Sequence, residues 1–193
     1  MTVTFTCHAD LLCRHSEFFK AALKKQWKEG KEGVVRLPED SPNSFELFQK
    51  FIYSGKVRLA CLRKDEEALL EEAWSLGDSL ISTSFKDVIV DEMCRVFYRS
   101  KPLALLPRLF HNSPRGAGVR NLCVDLAVSK WSLQDLKKEA KEVAYASFFT
   151  EVAIGLKEQN DTGDKTDLLK DPECHYHEHI SKEGCYKVMF EAQ

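Results

Sequence analysis

The stretch Ser41–Gly55, SPNSFELFQKFIYSG, writes out one whole helix with both of its ends, and it limits what the chain can fold into. Serine can cap a helix, and proline suits the first helical position, where its missing N–H has no partner to lose. Phe45, Phe48 and Ile52 recur at helical spacing, and Leu47 and Phe51 widen the stripe. Gly55 is the natural left-handed stop. The 193 residues include 12 Phe against 3 Met, so the core that receives this stripe is a rigid aromatic one.

Other segments carry weaker versions of the same signals. Residues 2–6 alternate β-formers (Val3, Phe5) and read as a short strand, as do Val34–Leu37, stopped by Pro38. From Ala9 a helical stripe runs through Leu11, Leu12, Phe18, Phe19, Ala22 and Leu23. Residues 25–33 (KQWKEGKEG) form a polar, glycine-marked turn. Asp65, Glu66 and Glu67 open a helix that carries Leu70, Ala73, Trp74 and Leu80. Ser84 with Asp87, and Ser132 with Asp135, are spaced as capping boxes. Pro107 predicts a break in its segment. Helices are predicted on to Leu156, and Lys157–Pro172 is polar and without period.

The fold expected is therefore α+β, a small sheet packed with helices and followed by an all-helical extension. The predicted divisions are residues 1–100, a helical extension 101–156, a linker 157–173 and a Cys/His tail 174–193.

Charge excludes several functions. There are 28 basic and 30 acidic residues, for a net charge of −2, which gives no field for nucleic acid or a membrane surface. The pairs Lys24-Lys25 and Lys137-Lys138 sit beside glutamates and read as solvated helix faces. No apolar run approaches a membrane span, and no basic-then-apolar leader opens the chain. Cys7, Cys13, Cys61, Cys94 and Cys123 fall in apolar-periodic segments, the pattern of reduced core thiols in the cytosol or nucleus. The nine glycines form no phosphate-binding loop, and no G-x-S-x-G elbow is present. His8, at a predicted strand end, reads as a hydrogen-bonded packing residue. Cys13 and His15, two apart on a helix, do not face each other as a catalytic pair would.

The strings HADLLCRHSEFFKAAL and LPEDSPNSFELFQKFIYSGKV resemble the BTB/POZ domain, and closely its fungal branch. The family's L-L-x-x-x-S-x-F-F helix is matched by Leu11, Leu12, Ser16, Phe18 and Phe19, after His8. Its strand-then-helix element ending in Tyr-Ser-Gly is matched by Val34–Leu37 and Phe45–Gly55. WKEGKEG and AWSLGDSLISTSFKDVIVDEM are similar as well, and the likeness covers residues 3–100. The resemblance implies a non-enzymatic module that works by protein–protein association, with itself or as a substrate adaptor on a cullin-3 ubiquitin ligase.

Two departures bear on that expectation. The chain begins after the strand with which the family normally opens, so the usual dimer is not expected in its ordinary form. In the hydrophobic-x-Glu motif of cullin binders, Phe45-Glu46-Leu47 puts leucine where glutamate belongs, which weakens a cullin as the partner. The interface expected is a phenylalanine-lined helical face made of Phe45, Leu47, Phe48 and Tyr53.

The tail, DPECHYHEHISKEGCYKV, holds Cys174, His177, His179 and Cys185 as C-x2-H-x-H-x5-C. Two thiolates and two imidazoles are a ligand set for structural zinc, and an ion can order a tail too short to fold alone. A second reading puts His175, His177 and His179 on one strand face, as a small metal-dependent enzyme would need. A third leaves the tail solvated and its Cys and His incidental.

Overall fold

The computed structural model describes residues 3–59, 65–163, 174–179 and 184–191. Cys61 and most of the expected linker, residues 164–173, lie outside the described residues. The chain divides into two compact units, Met1–Ile89 with His179–Gln193, and Val90–Glu178.

In the first unit the chain forms α1 (Ala9–His15), α2 (Glu17–Ala22), α3 (Lys28–Glu32), α4 (Pro42–Ser54), α5 (Asp65–Ser79), the first turns of α6 (Thr83–Ser100), and α11 (Tyr186–Glu191). Helix α4 begins with proline in its first turn and ends on Gly55 at φ +68°, as its sequence dictates. The cap differs in detail. Ser41 makes no side-chain cap, and Ser44 Oγ instead donates to the Ser41 carbonyl at 2.8 Å.

The α4 stripe is the middle of the unit's core. Phe48, Phe51 and Phe85 are fully buried, with ring centroids 5.1 Å apart for Phe48–Phe85 and 5.6 Å for Phe51–Phe85. Phe19, Leu70 and Trp74 extend this core. Each such ring contributes about 1.5–3 kcal/mol through burial.

The single stripe from Ala9 to Leu23 forms two helices rather than one. Ser16 separates them in extended conformation (φ −148°, ψ 120°), accepting from Phe19 N at 3.1 Å and donating to the Leu80 carbonyl at 2.6 Å. The hydroxyl thus caps α2 while tying it to the end of α5.

The expected sheet is absent among the described residues, which are all-helical in their regular structure. The described residues of both predicted strands form no strand, since a strand without a hydrogen-bonded neighbour does not persist as one. Residues 3–7 are held by side chains instead: Phe5 packs on Phe45 at 4.9 Å, and Gln49 Nε2 donates to the Thr6 carbonyl at 3.2 Å. The α+β expectation is therefore corrected to an all-helical architecture among the described residues. The polar turn at 25–33 likewise contains the short helix α3, closed by Gly33 at φ +66°.

The second unit holds the rest of α6 with α7 (Leu105–Asn112), α8 (Gly118–Lys130), α9 (Leu133–Glu139), a 3-10 turn at Val143–Tyr145 and α10 (Ala146–Thr162). Helices α7, α8 and α10 pack on one another around Leu106, Leu109, Leu122, Leu126, Phe148 and Val152. Pro107 does not break its segment, because it falls in the first turn of α7, where its missing donor costs nothing. Helix α6 starts at Thr83, so Ser84 lies inside it rather than capping it. The second capping box forms as read, with Ser132 and Asp135 each accepting from the other's backbone N–H. Lys101 Nζ reaches Asp135 at 2.6 Å, and together with the Ser132 bonds it holds that carboxyl far below the usual range. Helix α10 runs on through residues 157–162, beyond the predicted end, to Gly163 at φ +72°.

Candidate functional site

The tail turns back on itself within four residues. Cys174 sits in the left-handed region (φ +62°), and the His177 N–H donates to the Cys174 carbonyl at 3.0 Å. That turn ends the alternation that would have aligned three histidines. Tyr176 is buried, and its hydroxyl donates to Asp125 Oδ2 of α8 at 2.8 Å. Gly118 opens α8 beneath it, and a Cβ there would come within 2.0 Å of the Tyr176 carbonyl oxygen. Burial raises the Asp125 carboxyl above its ordinary value, against the opposing bonds of Tyr176 and the nearby His175.

Cys174 and His177 belong to the second unit, and His179 and Cys185 to the first. Cys174 and Cys185 are thiols rather than a disulfide. The His177 side chain is fully buried, with Nε2 2.8 Å from Asp91 Oδ1. With the Nε2 proton given to that carboxylate, the lone pair falls on Nδ1. This is how an outer carboxylate orients a metal-binding imidazole.

His175 is not one of the four. It is exposed, lies edge-on to Tyr176 at 4.7 Å and points Nε2 towards Asp125 at 3.9 Å. The three-histidine arrangement is therefore not formed.

The four expected interface residues separate into two kinds. Leu47 (3% exposed) and Phe48 (0%) belong to the core. Phe45 is half-buried beneath Phe5 and beside Phe48, at 5.8 Å. Tyr53 is 48% exposed, and its hydroxyl accepts the His8 N–H at 3.1 Å and meets His8 Nδ1 at 2.7 Å. His8 is hydrogen-bonded, as read, but on the surface.

Two features escaped the sequence reading. Trp27 is 54% exposed in the first unit, uncommon for so large an apolar ring. His15 is buried between rings, stacked on Phe190 of α11 (5.3 Å, 10°) and edge-on to Phe51 (5.2 Å). Burial, helped by Arg14, lowers its pKa below the ordinary histidine value. Among the described residues no helix is long and apolar enough to cross a membrane.

Compared with known proteins, the chain matches the family model described as BTB/POZ domain over residues 2–94. No curated protein and no solved structure matches it.

Proposed function

With a BTB/POZ domain at residues 2–94 as its interaction module, we propose that this chain captures one protein partner through the exposed aromatic edge of its first unit, and carries a structural zinc in its tail. The family assignment is the observation that carries the first part. Tyr53, 48% exposed, supports the choice of edge, since tyrosine is enriched among the residues that dominate binding energy where proteins meet. The partner is a second copy of the chain or a scaffold such as a cullin. The cullin is the weaker of the two, because Leu47 stands at the glutamate position and its side chain is buried.

Donor chemistry supports zinc at Cys174, His177, His179 and Cys185, two thiols and two imidazoles. The ion would supply a crosslink, not a reaction, since four protein ligands leave no open position.

Tyr53→Asp tests the interface, because Tyr53 is exposed and its loss leaves the core intact. Light scattering reports self-association, and co-purification with a purified cullin reports the scaffold. Loss of association at unchanged thermal stability is the expected result. Retained association would remove this edge. Leu47→Asp is the wrong variant, because it would bury a charge and unfold the unit.

A further inference from the structure

We propose that the outer face of α10, with the turn that precedes it, is a second interaction surface, on which two copies of the chain pair with their α10 helices antiparallel. It goes beyond the BTB/POZ reading, because every residue in it belongs to the second unit.

Helix α10 is apolar on two sides. Phe148 and Val152 are buried on the side that packs against α7 and α8. On the opposite side Ala146, Thr150 and Ala153 recur at helical spacing, and with Ala140 and Val143 they line an open hollow of about 530 Å³. Val143 is 87% exposed and Ile154 48%. Aliphatic side chains gathered so openly on one face are a mark of association.

The hollow is not built for a small ligand, which needs several polar groups converging on it. The Thr150 hydroxyl donates to the Ala146 carbonyl at 2.9 Å, within the helix itself, and Glu142 is the other polar side chain of the lining.

Charge selects the second copy. Before α10 stand Lys137, Lys138 and Lys141 against Glu139 and Glu142, whereas along the helix stand Glu151, Glu158 and Asp161 against Lys157. One end of the surface is therefore net basic and the other net acidic. An antiparallel second copy sets each basic end on an acidic one and offers each Val143 to the other's hollow. A parallel copy would set like ends together. One helix and one turn per copy is at the small end of specific interfaces, below about 1,200 Å². The pairing therefore belongs to concentrated protein, and the test of the Tyr53 edge to dilute solution.

Sedimentation velocity of the full chain carrying Tyr53→Asp, over a rising concentration series, tests the pairing with the first-unit edge disabled. A dimer should appear. Val143→Glu or Ile154→Asp in that background should weaken it by at least about tenfold, since each would bury an unpaired carboxylate between the copies. Both positions are exposed, so circular dichroism should not change. Chains carrying Lys141→Glu or Glu158→Lys should each self-associate poorly, and their equimolar mixture should recover the dimer. A Tyr53→Asp chain that stays monomeric, unchanged association in both apolar variants, or a mixture no better than its components overturns the pairing. None of these outcomes bears on capture through Tyr53.

Discussion

The phenylalanine core around α4 and residues 174–179 are held by opposite means. Phe48, Phe51 and Phe85 are wholly buried and held by contacts that have no required direction. Residues 174–179 bury Tyr176. Directional polar contacts there include Tyr176 to Asp125, His177 to Asp91, and a turn through a left-handed cysteine. A single hydrogen bond contributes about 1 kcal/mol net, so such a segment is stable only if its contacts hold together. The core should therefore answer to volume, and the tail to metal and protons.

The largest effect separates the two regions directly. Phe48→Ala should cost about 3–5 kcal/mol of stability, read from denaturant unfolding, because the ring is fully buried and its removal leaves a cavity. Chelation should spare that core. Far-UV circular dichroism of the stripped chain should keep nearly all its helical signal, with the thermal midpoint falling only as ligand linkage requires. A stripped chain that loses its helices would show that the core depends on the tail, and the contrast would fail.

The next effect lies within the tail. Asp91→Asn removes the carboxylate that orients His177 and should weaken zinc by about 10- to 100-fold in a competition titration. Asp125→Asn disturbs Tyr176, which is not a ligand, and should weaken zinc less. Equal losses would mean that both carboxylates merely hold the turn in place.

The same division decides what could be read from the sequence. Helix α4 was legible because each of its signals is local: proline, stripe and glycine lie within fifteen residues. Apolar patterning also marked Leu47 and Phe48, yet it could not say that both side chains would be used up inside the unit. The strand at Val3–Phe5 has the right alternation, but a strand is a property of two segments, and Phe5 finds Phe45 instead of a neighbouring strand. The break at Ser16 depends on Leu80, sixty-four residues away, and no local pattern announces it. Ligand spacing in the tail singled out Cys174, His177, His179 and Cys185 by donor type. Strand alternation, which assumed an extended backbone, wrongly added His175. The stacking of Phe190 on His15 joins opposite ends of the chain and left no trace in either end alone.

The smallest effect tests which region senses acid. His15 has its pKa lowered chiefly by burial and secondarily by Arg14, so the unfolded chain, with an ordinary value of 6.5, binds a proton that the folded one resists. Stability from this group is complete above 6.5 and declines as pH falls through that value towards the folded one. Urea midpoints measured from pH 8 to 5 should therefore decline, and His15→Leu should decline less. The proposed site in the tail is unchanged by His15→Leu, so both chains keep whatever share of the slope it contributes. The difference between the two chains isolates the core histidine. Identical slopes would assign all of the acid sensitivity to the Cys/His segment, and would sharpen the contrast between a core that answers to volume and a tail that answers to protons.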